Sequence, residues 1–221
     1  VGFVSPIQIQ ALNQNESIEE TPFAYDSTLK SKLSLPFIDA VFPTANKAGL
    51  IKTDNEIHGI ILKGVDKDYN WNYINSNLTL GNIPQYTDDE RSNDVVISKI
   101  IADKLLLNVG DDVRIWFVGE DMKTRGRKFS VKGIYETGLT ECDERFIYCD
   151  LNQISRLNGW GNDYVGHLEI QLEDNVEVNE ANNFIYYSIP TNLVSYTTRE
   201  LFPHIFDWLD LQDMNVVIII V

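Results

Sequence analysis

Segments in which apolar and polar residues alternate recur from one end of the chain to the other. Phe3–Leu12 places Ile7 and Ile9 on one side, and His167–Leu172 places its leucines and isoleucine on one side. Alternation with a period of two predicts strands that bury one face. The other predicted strands are Ile38–Phe42, Ala48–Thr53, Ile57–Val65, Val95–Ile97, Val113–Val118, Phe129–Tyr135, Phe146–Cys149 and Leu193–Tyr196.

Short helices are predicted between these strands, where apolar residues recur at helical spacing. Ser98 can cap the clearest of them, and the predicted buried face of this helix comprises Ile101, Ala102, Leu105 and Leu106. The other predicted helices are Ser27–Leu35, Asp150–Leu157, Val178–Ser188 and a segment that begins after Thr197. Strand–helix–strand units therefore occupy the centre of the chain, and strand–helix units lie at both ends.

The last residues form an aliphatic run, Asn215–Val221, without Gly, Pro or charge. A transmembrane helix needs about twenty such residues, so we interpret residues 214–221 as the start of a membrane span that continues the segment after Pro203. A buried C-terminal strand is the alternative, because the run is rich in β-branched residues. The first interpretation predicts an extracytoplasmic domain between two spans of a membrane protein.

The acidic composition argues against nucleic acid as a partner. The chain has 33 acidic and 18 basic residues, a formal net charge of −15 and a pI near 4.5. Such a charge repels phosphate backbones, so we expect no binding to nucleic acid. Hydrophobic residues make up 43% of the chain and aromatic residues 11%, which is too much for a disordered tail.

Motifs that would indicate an enzyme are missing from the sequence. The histidines His58, His167 and His204 lie far apart and have no partners at metal-ligand spacing. No paired C-x-x-C, H-E-x-x-H, phosphate loop or nucleophile elbow occurs. We therefore predict no catalytic, cofactor-binding or metal-binding residues, no cofactor and no enzymatic activity.

Two further groups could carry chemistry but have simpler interpretations. Asp143 and Glu144, beside Arg145, could act as an acid–base pair, but we interpret them as turn residues with a surface ion pair. Cys142 and Cys149 are interpreted as two semi-buried thiols, since an extended segment before Cys149 separates them beyond bridging range.

Three successive motifs carry a resemblance to a known family. Residues 94–113 read as a short strand, an Ala-x-x-Leu helix and a Gly-Asp turn; Lys128–Gly138 contains a Phe-x-Val-x-Gly-Ile strand; and Asp143 precedes the strand Phe146–Cys149 and a helix. This order resembles the periplasmic domain of type VII ABC transporter permeases, the MacB/FtsX-like superfamily. The resemblance extends over nearly the whole chain and is greatest to the LolC and LolE permeases of the lipoprotein-releasing complex.

The resemblance implies an α+β fold in two parts. A porter-like subdomain would be built from both chain ends, residues 1–66 and 165–221, and a Sabre-like subdomain, residues 67–164, would be inserted between them. Gly110, Asp111 and Gly133 would then lie at structural turns. The parent protein would be embedded in the cell inner membrane, with this domain on the periplasmic side.

The resemblance also implies partners. They are a cytoplasmic ATPase subunit, a second permease copy or homologue, and a periplasmic lipoprotein carrier. The domain would couple ATPase-driven motion of the membrane helices to the handling of lipoprotein or carrier. Two alternatives stay open: an FtsX-like regulatory domain that activates a cell-wall hydrolase, and a MacB-like efflux permease.

The loop Glu120–Lys128 is the candidate contact site, with Met122, Lys123, Arg125, Arg127 and Lys128 as its residues. In LolC-like permeases the corresponding connection is longer, contains prolines and forms a hook that captures the carrier. Here the loop is shorter and has no proline. It is interpreted either as a solvated hairpin or as a small basic contact for an acidic partner.

Overall fold

A computed structural model describes residues 5–14, 18–52, 57–88, 90–118, 124–161 and 163–203. They form a sheet-dominated α+β fold, as predicted. The strands are β1 Ile7–Ala11, β2 Phe23–Ala24, β3 Ile38–Lys52, β4 Ile57–Val65, β5 Leu78–Gly81, β6 Asp94–Ser98, β7 Asp112–Val118, β8 Thr124–Tyr135, β9 Phe146–Asp150, β10 Tyr164–Val165, β11 His167–Leu172 and β12 Leu193–Thr197. The helices are α1 Ser27–Lys32, α2 Asn72–Ser76, α3 Lys99–Leu105, α4 Thr140–Asp143, α5 Leu151–Asn158, α6 Val178–Ser188 and α7 Thr198–Leu201.

One large sheet runs through the domain in the order β12-β1-β11-β3-β4-β9-β6-β8-β5, while β2 and β10 form a separate pair. The long strand β3 holds the sheet together, because residues 38–44 pair with β11 and residues 44–52 pair with β4. The outer strands from both chain ends therefore join the central strands without a break in hydrogen bonding.

Six of the strands close into a ring. β7 pairs with β8 on one side and, through Trp116 and Ile115, with Leu50 and Ile51 of β3 on the other. The ring order is therefore β3-β4-β9-β6-β8-β7. Its inner face is apolar, and the buried residues there include Ile51, Ile60, Leu62, Val95, Ile97, Val113, Ile115, Phe117, Phe129, Val131 and Ile147.

Helix α5 packs closely on β4 because residue 64 is glycine. A Cβ atom on Gly64 would lie 2.8 Å from Cδ1 of Ile154 and 3.0 Å from Cα of Leu151. Real Cβ atoms do not show contacts as short as 2.8 Å, so a side chain at this position would displace Ile154 and crowd the backbone of the helix at Leu151. A second cluster, rich in aromatic residues, covers the other face of the sheet around Tyr69, Trp71, Tyr135 and Tyr148.

Helices α3, α5 and α7 begin with a side-chain cap formed by a residue type that favours this position. Ser98 accepts a hydrogen bond from the backbone of Ile101, Asp150 accepts one from Asn152, and Thr197 forms a reciprocal capping box with Glu200. Each cap satisfies backbone N–H groups that the first turn of a helix leaves without partners.

Several element boundaries were predicted wrongly. The two runs at residues 38–42 and 48–53 belong to one continuous strand, β3, because ladder pairing on both sides overrides the interruption at Pro43. Leu106 is not buried; it is 86% exposed and ends α3 in a left-handed conformation. Gly110 does lie in a turn, but Gly133 lies inside β8, where a Cβ atom would meet the carbonyl oxygen of Asn82 at 2.8 Å.

The division into residues 1–66 with 165–221 and residues 67–164 stays a prediction. The predicted start of a membrane span at residues 214–221 lies outside the described residues, as does the segment after Pro203. Within the described residues, no helix combines the length and apolar character that crossing a membrane requires.

Candidate partner-contact site

The predicted contact loop is a β-hairpin whose two strands, β7 and β8, extend further than expected. Thr124–Lys128 belong to β8, so the connection between the strands is only residues 119–123, which lie outside the described residues. The loop was predicted because this stretch is polar. Its backbone nevertheless pairs with β7, residue by residue from Val118 opposite Thr124 to Asp112 opposite Ser130.

Strand pairing separates the basic residues that the sequence groups together. Arg125 and Arg127 lie opposite Phe117 and Ile115, and residues directly opposite each other share a face of the sheet. Both arginines are exposed. Lys128 lies on the other face. Met122 and Lys123 lie outside the described residues.

Lys128 has an ion-pair partner in the hairpin itself. Its Nζ lies 2.6 Å from Oδ2 of Asp112, and both side chains are more than half exposed. Directly opposite Lys128 is Arg114, a basic residue that the sequence analysis did not single out. Arg114 stands over the ring of Trp116, with its guanidinium carbon 5.9 Å from the ring centroid. The alternation of Arg114 and Trp116 with the buried Ile115 is the signal that would have found them.

A buried charged network lies elsewhere in the sheet and was missed by the sequence analysis. Lys63 Nζ on β4 lies 2.6 Å from Oε1 of Glu169 on β11, and both side chains are under 5% exposed. His167 Nδ1 lies 2.7 Å from Oε1 of Glu20, and its Nε2 lies 3.6 Å from Glu169. The other oxygen of Glu20 accepts a hydrogen bond from the backbone of Asn46 at 2.7 Å.

The network consists of two cations and two carboxylates, so it is neutral when all four are ionised. Burial alone would lower the pKa of His167, but Glu20 and Glu169 outweigh it and raise this pKa to about 9. Burial alone would raise the pKa of Glu169, but Lys63 and His167 lower it to about 2. Each charge is therefore held by the others, and the network ties β11 to β4 and to the segment around Glu20.

The network predicts a specific dependence of stability on pH. The folded protein keeps a proton on His167 up to about pH 9, whereas the imidazole loses it near 6.5 in the unfolded chain. The stabilisation from His167 is therefore complete below pH 6.5 and lost as the pH rises through 9. The stabilisation from the ionised carboxylate of Glu169 is complete above pH 4.5 and is lost as the pH falls through 2.

Urea unfolding at a series of pH values measures this effect. The free energy of unfolding of the wild-type chain is expected to fall relative to that of His167→Gln between pH 6.5 and 9. Parallel curves for the two proteins over that interval would contradict the charged state assigned to His167.

The remaining candidate groups are structural. Asp143 is not a surface residue; it is 2% exposed, and its carboxylate accepts hydrogen bonds from the backbone of Thr137 at 3.0 Å and of Gly138 at 3.2 Å. It thus fixes the turn before α4, and the predicted surface ion pair is wrong for this residue. Cys142 and Cys149 are both free thiols, as predicted. Burial raises the pKa of Cys142 to about 11, so this thiol is protonated at neutral pH.

Metal-ligating side chains do not converge in the part of the chain that the structure describes. No group of three or more His, Cys, Asp or Glu residues there could hold an ion. The arrangement is that of a sheet scaffold with exposed basic residues on the β7–β8 hairpin.

Comparison with known proteins assigns the family. Residues 2–185 match the sequence pattern of the MacB-like periplasmic core domain, which is most of the chain. The chain belongs to the MacB-like periplasmic core domain family. No curated protein matches it in sequence.

Solved structures agree with this assignment at the level of the fold. The periplasmic region of MacB from Actinobacillus actinomycetemcomitans superposes with a TM-score of 0.57 at 14% identity, over 90% of this chain and 91% of that one. The extracellular domain of the noncanonic ABC-type transporter YknZ from Gram-positive bacteria gives a TM-score of 0.56 at 15% identity, over 86% of this chain and 99% of that one.

The MacB-like periplasmic core domain is part of an ABC transporter permease, and such transporters work with an ATPase. It lies on the periplasmic side of the membrane, and the family is a transporter family and not an enzyme family. The predicted resemblance to MacB-like permeases is confirmed at this level. The closer relationship to LolC and LolE stays a prediction.

Proposed function

We propose that this MacB-like domain serves a permease of the cell inner membrane that releases or exports lipoproteins. In this proposal a cytoplasmic ATPase subunit drives motion of the membrane helices, and the periplasmic domain passes the cargo to a soluble lipoprotein carrier. The permease acts with a second copy or a homologue. The porter-like part, residues 1–66 and 165–221, receives the motion, and the Sabre-like part, residues 67–164, presents the carrier contact.

The observation that carries the proposal is the β7–β8 hairpin. Arg125 and Arg127 are exposed side by side on β8, in a chain whose net charge is −15. A local basic surface on an acidic domain steers an acidic partner towards one place. The hairpin would also correspond to the carrier hook in the LolC-like motif order that the sequence resembles. Its contact residues are Met122, Lys123, Arg125, Arg127 and Lys128.

The packing of the hairpin favours a contact on the surface of the sheet and not a hook that projects from it. Both hairpin strands belong to the ring, because Trp116 of β7 pairs with Leu50 of β3 and β8 pairs with β6. The buried side chains of Ile115 and Phe117 hold β7 there. A partner would therefore contact the exposed residues at the start of β8, where Arg125 and Arg127 lie.

Two other functions fit the family equally well and define the competing outcomes. An FtsX-like domain would bind a cell-wall hydrolase through the same hairpin without moving a substrate. A MacB-like efflux permease would act with an outer-membrane channel. The identity of the partner that the hairpin captures distinguishes the three.

Reversing two charges on the hairpin tests the proposal. The variant Arg125→Glu/Arg127→Glu is expected to bind the purified periplasmic lipoprotein carrier roughly tenfold more weakly at low ionic strength, mainly through slower association, with a smaller difference at high salt. Surface plasmon resonance at two salt concentrations measures both rates.

The matched control is Lys104→Glu/Lys132→Glu, which makes the same change in net charge at two other exposed lysines. This control is expected to bind the carrier with an association rate near that of the wild type. Equal binding by the hairpin variant and the wild type would refute the proposed contact. Capture of a cell-wall hydrolase in place of the carrier would favour the regulatory function.

A further inference from the structure

A second surface lies on the outer face of the six-stranded ring, where β4, β3, β7 and β8 lie side by side. Leu50 on β3 is directly opposite Gly59 on β4 and Trp116 on β7, and Trp116 is directly opposite Gly126 on β8. Residues in such a row share one face. The neighbouring residue Gly49 faces the interior, where its Cβ position lies 2.7 Å from Ile115, so the row points away from the core.

Apolar side chains on this outer face are exposed. Leu50 in the row is 41% exposed, and Val118 and Ile57, which flank the row, are 48% and 68% exposed. Glycines border the row at both ends. The Cβ position of Gly59 has no heavy atom within 4 Å, and that of Gly126 lies 3.0 Å from the ring of Trp116. The ring of Trp116 therefore covers Gly126, and the space outside Gly59, beside Leu50, is open.

Basic residues line one side of these apolar positions. Lys52 and Arg114 each lie two residues from the paired Leu50 and Trp116, towards the same end of the ring, and Arg114 is directly opposite Lys128. Among the described residues of this face, Asp112 is the acidic one, and Lys128 pairs with it. Lys52 and Arg114 thus give the face a positive charge in a strongly acidic chain.

We propose that this Trp116 surface, made of Leu50, Lys52, Ile57, Arg114, Trp116 and Val118, binds a segment of another protein in which apolar side chains are flanked by carboxylates. Trp and Arg are the residues that most often dominate the energy of protein interfaces, and here the guanidinium of Arg114 lies over the ring of Trp116, the aromatic residue of the apolar row. Carboxylates of the partner would lie over Lys52 and Arg114.

The charge of the domain favours a protein segment over a lipid membrane as the partner of the Trp116 surface. The net charge of −15 repels a membrane of anionic lipids as the whole domain approaches it. A short acidic segment meets only the local positive charge of Lys52 and Arg114, within about a Debye length of 10 Å. The Trp116 surface is separate from Arg125 and Arg127, which lie on the other face of the hairpin, so this proposal does not depend on the carrier contact.

Nuclear magnetic resonance of the 221-residue chain tests the proposal with a synthetic probe, the capped peptide Glu-Asp-Leu-Phe-Asp-Glu. The indole N–H resonance of Trp116, assigned by its loss in Trp116→Phe, is expected to shift saturably as the peptide is added at low salt. The variant Lys52→Glu/Arg114→Glu is expected to bind the peptide roughly tenfold more weakly. The control Lys104→Glu/Lys132→Glu makes the same change in net charge at two exposed lysines outside this surface and should retain the affinity.

Four outcomes would overturn the proposal. The first is equal affinity of the wild type and Lys52→Glu/Arg114→Glu, and the second is equal weakening by both double variants. The third is undiminished binding of a peptide with Ser-Ser in place of Leu-Phe, which would show that charge alone is recognised. The fourth is a Trp116 shift produced by phosphatidylglycerol vesicles but not by the peptide, which would assign the surface to a membrane.

Discussion

The variant Glu169→Gln is expected to lose about 3–5 kcal/mol of unfolding free energy. Glu169 is 2% exposed and is the carboxylate shared by Lys63 and His167. The amide keeps the size of the side chain but removes its charge. Lys63 then stays buried without its counter-charge, and the desolvation of an ammonium group is no longer offset. Equilibrium urea denaturation at pH 6 measures the loss.

A double-mutant cycle shows whether the loss comes from the ion pair. In a Lys63→Met background the buried ammonium is gone, so Glu169→Gln is expected to lower the free energy of unfolding much less than it does in the wild type. The exposed pair of Lys99 and Glu136, 3.2 Å apart with both side chains about half exposed, provides the control. Lys99→Gln is expected to cost less than about 1 kcal/mol. A loss that is unchanged in the Lys63→Met background would contradict the assignment.

The variant Gly49→Val is the second large prediction, with an expected loss of about 1–3 kcal/mol from overpacking. A Cβ atom at Gly49 would lie 2.7 Å from Ile115, 3.0 Å from Ile60 and 3.1 Å from Phe117, all inside the ring. Ile115 and Phe117 hold the β7–β8 hairpin against β3, so the displaced side chains should also loosen the hairpin. Faster hydrogen exchange of the β7 amides would report this effect.

Gly59→Val is the matched control. Gly59 lies on β4, which pairs with β3, but it faces outward, whereas Gly49 on β3 faces the interior of the ring. Its Cβ position has no heavy atom within 4 Å. Valine favours a strand over glycine, so this variant is expected to be neutral or to gain up to about 1 kcal/mol. Equal destabilisation by Gly49→Val and Gly59→Val would contradict the closed ring.

Local patterns in the sequence were enough to predict most elements and caps of this fold. Ser98 caps α3 as predicted, because its side chain acts on a backbone group only three residues away. Strand β11 was predicted because the burial of Leu168 and Ile170 follows directly from alternation. Such features depend on contacts within one element, and a single segment contains all the information needed.

Features that depend on pairing between distant segments were not predictable in the same way. Thr124–Lys128 is polar and was predicted as a loop, but the ladder with β7 makes it a strand. Lys63 and Glu169 are 106 positions apart, and nothing local to either residue identifies its partner. A lysine inside the apolar strand Ile57–Val65 was nevertheless a signal, because a charge on a buried strand requires a counter-charge.

The most direct test of the functional account is transfer of lipoprotein by the complete permease. The permease and its ATPase are reconstituted in liposomes that contain a fluorescent lipoprotein, with the periplasmic domain facing outward. Soluble carrier is then added outside the liposomes. We expect lipoprotein to appear on the carrier only with ATP, and we expect Arg125→Glu/Arg127→Glu, but not Lys104→Glu/Lys132→Glu, to slow this transfer. Transfer at equal rates with both variants, or ATP-driven movement of a small drug with no lipoprotein release, would contradict the proposed function.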